Sequence, residues 1–210
     1  MLAALMLTAA LTATRLAPLA SAIEHYRTVE TYQVTLRTAH ADGEDLIRYY
    51  YRKPGFVRME FIRPHAGAVL VYSPLTQRVS VWPLGAGRFP ELSLSPHNPL
   101  IRSPGGQSVD KSDVGSLFEN VRALLEQGTA EVLGEAHLDG RTALHLVVTG
   151  APGQAVAGVH RYELWLDTAT QFPLKVISRD PEDAIIETVM MDALEINAPL
   201  AETLFNPERE

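Results

Sequence analysis

The 210-residue sequence contains no cysteine. Disulfide frameworks, zinc–thiolate sites, iron–sulfur clusters, cysteine nucleophiles and a lipid-modified N-terminal cysteine are therefore excluded together. Basic charge is also scarce: 18 Lys and Arg stand against 25 Asp and Glu, giving a net charge of −7. Only Lys53, Lys111 and Lys175 are lysines, and no basic run exceeds two residues. Nucleic acid is excluded as a partner, because its binding needs a basic patch that neutralises phosphates. After the N-terminus no segment reaches the ~18 uninterrupted apolar residues of a membrane-spanning helix. Hydrophobic residues at 46% and charged residues at 20% are near globular averages, which rules out wholesale disorder.

Catalytic constellations are missing as well. No HExxH, GxSxG, phosphate-binding loop or dinucleotide-binding fingerprint occurs. Gly85–Ala86–Gly87 is a bare GxG that opens no helix. The seven histidines (25, 40, 65, 97, 137, 145 and 160) never stand two or four residues apart, the spacings that would put a pair on one strand or helix face. Carboxylates cluster at expected turns (Asp42, Glu44, Asp45, Asp139, Asp180, Asp183), where they serve local backbone hydrogen bonding and solvation. The expectation is a binding protein: no enzyme, no metal, no cofactor.

What is present begins with an apolar stretch, Met1–Ala13, too short to span a bilayer, followed by small residues at Ala20 and Ala22. This reads as a secretory leader over residues 1–22, with a single domain over 23–207. Helical periodicity over 17–30 then gives way to a period of two. Tyr32, Val34 and Leu36 alternate with polar residues, and turn signals follow at Asp42–Gly43 and Pro54–Gly55. Tyr49 and Tyr51 share one strand face with Val57, Met59 and Phe61 across the next hairpin, while Tyr50, Arg52, Arg58 and Glu60 take the other. Residues 68–72 and 78–82 are further strands. Residues 83–110 carry five prolines and four glycines, the composition of a long cover segment. Asp113 caps a helix whose apolar face is Val114, Leu117, Phe118, Val121 and Leu124, and Gly128 stops it. Five more strands fill 129–196, and Leu200, Leu204 and Phe205 anchor a closing tail.

Turns this short forbid parallel crossovers, so the sheet is expected to be antiparallel and meandering. The fold class is mainly β with helices (α+β): a curved antiparallel sheet of about 9–11 strands, an incomplete barrel. A sheet of this kind that curls under two helices makes its concave face either core or cavity, and periodicity alone favours core.

The segments YYYRKPGFVRMEFIRPHAGAVLVYSP (49–74) and YELWLDTATQFPLKVISRDPEDAIIETVMMDALEINAPLAETLFNP (162–207) resemble the periplasmic outer-membrane lipoprotein carriers of LolA type. A strand ending in basic–Pro (Lys53–Pro54), and the spacing of Asp167, Pro173, Asp180, Asn197, Leu200, Phe205 and Pro207, carry the likeness. It implies lid helices closing a half-barrel whose apolar interior holds acyl chains. Tyr49, Tyr51, Val57, Met59, Phe61, Leu70 and Val79 are then the expected cavity lining. Lys53, Arg63, Leu117 and Phe118 are the expected lid and polar rim. One departure stands out: the carriers place an arginine before that proline, where it bonds the lid. Lys53 lacks its fork of donors.

The function expected on this basis is that of an exported, monomeric carrier. It would take acyl chains of a lipid or lipoprotein across the periplasm towards the outer membrane, meeting membrane proteins transiently. The alternative is a periplasmic sensor or interaction module of the same fold, of the envelope-stress regulator type, without a transport role.

Overall fold

The computed structural model describes residues 17–103 and 105–206. The expected leader lies mostly outside this range, as does Pro207 of the C-terminal motif. Eleven strands form one antiparallel sheet. They are β1 (Thr31–His40), β2 (Gly43–Arg52), β3 (Phe56–Arg63), β4 (Val69–Ser73), β5 (Arg78–Trp82), β6 (Leu92–Leu94), β7 (Thr129–Leu138), β8 (Arg141–Thr149), β9 (Arg161–Asp167), β10 (Pro173–Arg179) and β11 (Ile185–Ile196). Among the described residues two α-helices accompany them, α1 (residues 17–26) and α2 (Val114–Leu125).

The spatial order β6-β5-β4-β3-β2-β1-β11-β10-β9-β8-β7 follows from the short turns. The chain meanders outward from β1 to one edge at β6. It then crosses to the opposite edge at β7 and meanders back until β11 pairs with β1. The edges β6 and β7 do not pair, so the barrel stays open, as expected for a LolA-like fold. The crossing segment carries α2 and the proline-rich stretch over one face of the sheet, and α1 packs beside α2.

The period-two pattern sets which side chains face inward. Tyr32, Val34, Tyr49, Tyr51, Val57 and Leu70 join the main core between the sheet and the helices, with Phe118, Val121 and Leu124 from α2. The opposite side chains meet the C-terminal tail. Phe205 packs on Phe56 with ring centroids 5.9 Å apart, Arg52 lies 4.5 Å over the Phe56 ring, and Arg58 donates to the Leu204 carbonyl at 2.8 Å.

Two details differ from the sequence expectation. The proline-rich segment contains a short strand, β6, paired with β5 and fastened where Arg78 donates to the Ser93 carbonyl at 2.6 Å. A three-residue strand has almost no pattern of its own; its pairing comes from the neighbouring edge. The first helix ends at residue 26 rather than 30. There Thr28 and Val29 bond back to the carbonyls of His25 and Tyr26, and Val29 turns into the core. Leu19 and Ala22 are buried on the inner face of α1, so a leader cut after Ala22 would remove two core residues.

Candidate functional site

The helices cover only part of the concave face. At the end of the sheet where β1 begins and β2 ends, the inward side chains meet α1 and α2 and the space is filled. Tyr51, Val57, Val79 and Phe118 lie there, each no more than 5% exposed. Towards the β1–β2 and β3–β4 turns the helices no longer reach, and a cavity of about 900 Å³ remains. That is near the upper end of the ~300–1,000 Å³ typical of ligand sites.

The cavity floor runs along β1. Tyr32, Val34, Leu36, Thr38 and His40 all line it on alternate positions, a distance of about 26 Å at the ~3.3 Å rise of a strand residue. Its walls are Ile47, Met59, Phe61, Leu70 and Val81 on one side, with Val176, Val189 and Met191 on the other. The roof is the segment before α2, with Ile101 and Val109 facing inward, together with Leu117 of α2 itself. Exposed residues mark the mouth: Asp42, Glu44, His65, Ala66 and Leu100, the last 82% exposed.

Three tyrosines fix the inner end. Tyr32 stacks on Tyr49 and Tyr51, with centroids 5.8 and 5.0 Å apart. Its hydroxyl accepts from the Val114 amide at 3.2 Å, Tyr49 shares a 3.2 Å hydrogen bond with Ser112, and Tyr26 of α1 donates to Asp113 at 3.2 Å. Asp113 also accepts from the Gly115 and Ser116 amides and the Ser116 hydroxyl. The start of α2 is thus tied at once to α1, β1 and β2. Burial pushes the hydroxyls of Tyr26, Tyr32 and Tyr49 far above the ordinary tyrosine value, and the neighbouring Asp113 adds to each shift. All three stay neutral. Asp113→Ala removes the cap and leaves the Tyr26 hydroxyl unpaired. It should cost about 2–3 kcal/mol, read by denaturant unfolding, whereas Asp113→Asn should cost less because it still caps.

The other end is polar. Tyr162, Ser178, Glu187 and His40 occupy register-matched positions across β9, β10, β11 and β1, with Asp45 beyond them on β2. His40 Nε2 lies 3.5 Å from Asp45. Burial raises the Glu187 carboxyl above its usual range, His40 opposing the shift and Asp45 adding to it. The folded protein therefore holds that proton more tightly than the unfolded chain. This contribution to stability is present at acid pH and is lost as pH rises from the ordinary carboxylate range through the folded value. Glu187→Gln should accordingly raise the thermal midpoint at pH 7, with the gain shrinking towards about pH 4 where wild-type Glu187 is itself protonated. Among the described residues no group of three or more His, Asp or Glu is arranged to hold a metal ion.

Of the side chains singled out from sequence, the structure brings Tyr49, Met59, Phe61, Leu70 and Leu117 to the cavity. Tyr51, Val57, Val79 and Phe118 belong to the filled core beyond its inner end. Lys53 stands at the opposite end of β2 from the mouth. It donates to the Arg27 carbonyl at 2.6 Å and pairs with Glu30 at 3.0 Å, holding the turn that follows α1. Arg63 is exposed beside the mouth without lining it. Sequence reasoning missed the β10 and β11 contributors because the aromatic-rich patterns all lie in the first half of the sheet. Inward-facing Val176, Val189 and Met191 carry the same alternation signal.

No protein-family model matches the sequence, and no curated protein does. Solved structures do match. The lipoprotein LppX of Mycobacterium tuberculosis superposes with a TM-score of 0.56 at 10% identity, covering 90% of this chain and 97% of that one. MucB of Pseudomonas aeruginosa, solved with MucA, gives 0.56 at 19% identity, covering 92% of this chain and 60% of that one. An uncharacterized conserved protein from Thermus thermophilus gives 0.55 at 15%, covering 90% of each. At these identities the likeness establishes the fold, and this chain corresponds to somewhat over half the length of MucB.

Proposed function

We propose that the protein is an exported carrier that holds acyl chains of a lipid or lipoprotein in the half-barrel cavity and moves them through the periplasm towards the outer membrane. The observation that carries this reading is the cavity itself: a long aliphatic trough on a rigid sheet, roofed by a segment without regular sheet pairing. In this reading Val34, Leu36, Met59, Phe61, Val189 and Met191 contact the chain. Burying a methylene contributes about 0.8 kcal/mol, so about a dozen of them supply roughly 10 kcal/mol against an association cost of about 4–15 kcal/mol. Useful affinity is within reach of a single chain. Met59 and Met191 suit cargo of variable shape, because a thioether side chain repacks at low cost.

The experiment is native mass spectrometry with lipid extraction on protein prepared from a periplasmic fraction without detergent. An acylated species leaving with the protein supports the carrier. A ligand-free mass, together with no uptake of a fluorescent acyl probe, overturns it. The likeness to MucB, solved in complex with MucA, favours a second reading as a protein-binding module. That reading expects a stoichiometric periplasmic protein partner on a lipid-free chain.

The leader is proposed to end before residue 17, since Leu19 and Ala22 sit in the core. N-terminal sequencing of exported protein should return a start upstream of Leu19, and a start at Ile23 would contradict this.

A further inference from the structure

The carrier reading leaves open what headgroup the cavity accepts, and the inference here rests on that reading. The polar row just inside the mouth is acidic. Glu187 is 9% exposed, and Asp45 faces it from β2, with Asp42 and Glu44 on the turn at the rim. Opposing them in the same cavity are His40, His65 and Arg102. Arg102 is drawn aside, its Nε donating to the His97 carbonyl at 3.3 Å. His40 lies 3.5 Å from Asp45, and Glu187 forms no ion pair with any described side chain.

Acidic residues alone do not make a site, but the row also contains a polar group prepared for a partner it lacks. Tyr162 is 1% exposed and lines the cavity, yet its hydroxyl has no hydrogen-bond partner; the Asn120 amide approaches without reaching hydrogen-bond geometry. Burial pushes this phenol up to about 12, so it stays protonated and its oxygen remains free to accept. The His40 side chain is 10% exposed; its Nδ1 accepts from the Asp42 amide at 3.2 Å, so its Nε2 is a donor, turned towards Asp45 rather than towards the headgroup. Ser178 and Thr38, both buried, line the same space with hydroxyls. Gly105 of the covering segment stands beside them, where a Cβ would reach ordinary van der Waals contact with the Glu187 carboxyl at 3.4 Å. A buried phenol oxygen left unpaired, as at Tyr162, is costly unless a ligand satisfies it.

We infer that the cavity selects amphiphiles with a protonated amine headgroup, which Glu187 and Asp45 pair with while the Tyr162 oxygen accepts one of its hydrogens. An ammonium carries three donors and no acceptor, matching a row whose carboxylates and hydroxyls supply acceptors. The incoming charge also favours the ionised form of Glu187, which burial alone disfavours. An anionic headgroup meets the reverse situation, with like charges facing it in a partly desolvated space.

The test compares three ligands of one chain length on the full exported protein, dodecylamine, dodecanol and dodecanoate, each titrated at pH 7 by displacement of a fluorescent acyl probe below micellar concentrations. Dodecylamine should bind at least about tenfold tighter than dodecanoate, with dodecanol between them. In Glu187→Gln and in Tyr162→Phe that ratio should narrow, and rising salt should narrow it less than expected for an exposed pair. Dodecanoate binding as well as or better than the amine overturns the headgroup inference while the acyl-carrier reading stands. Failure of all three to displace or bind overturns the carrier reading and the inference with it.

Discussion

Replacing Leu36 with tryptophan lowers the affinity for an acyl probe by at least about tenfold and leaves the thermal midpoint unchanged or higher. Leu36 sits midway along the cavity floor, directly opposite Met191 in the β1–β11 register. Both strands are central and bonded on each side, so the backbone cannot yield and the indole must enter the trough. There it displaces ligand while gaining contacts with side chains that now border empty space. The same enlargement at Val57, which shares the face but lies 1% exposed in the filled core, should overpack and cost about 1–3 kcal/mol. The pair of variants, read by probe titration and thermal melts, separates cavity from core on one sheet face. Unchanged probe affinity in Leu36→Trp would mean that the chain does not lie along β1. A large loss of stability would mean that the trough is not open space.

Gly128→Ala is expected to destabilise the protein by about 3 kcal/mol or more, lowering the thermal midpoint by roughly 6–12 °C. A Cβ at this position would stand 2.1 Å from the Thr149 carbonyl oxygen, 2.7 Å from that of Leu124 and 3.0 Å from the Gly150 Cα. All three are backbone atoms, so no rotamer change relieves the clash. Position 128 is where the chain leaves α2 for β7, passing against the end of β8. Any shift there moves α2 relative to the sheet, and with it the cavity roof. Circular dichroism melts measure the loss, and a variant within about 0.5 kcal/mol of wild type would show that the crossing tolerates a displacement the packing forbids.

The sequence was informative where a local rule has one structural outcome. Alternation assigned the faces of β1 to β3 correctly: Tyr49, Tyr51, Val57 and Met59 point inward, while Tyr50 and Arg58 face the C-terminal tail. Asp113 caps α2 as its position predicts. The resemblance to LolA-type carriers anticipated an open sheet with helices across one face, which is the architecture observed. Where the expectation went astray, the needed information was not local. Tyr49 and Tyr51 have the same period, chemistry and face, yet one borders the cavity and the other the packed core. The same holds for Met59 against Val57 and for Leu117 against Phe118. Of the residues expected at a lid and polar rim, Lys53 stands at the far end of β2 and Arg63 beside the mouth without lining it.

From the sequence by itself follow the absence of thiol chemistry, the strand faces, the antiparallel meander and the capped helix, because each depends on residues a few positions apart. The tertiary structure alone decided how far along the strands the helices reach, and so where core ends and cavity begins. It also assembled Tyr162, Ser178, Glu187 and His40, from four separate strands, into one row. A period of two encodes which face a side chain takes. It contains nothing about the register between strands or the height at which a helix crosses them, and both are set by packing of the whole chain.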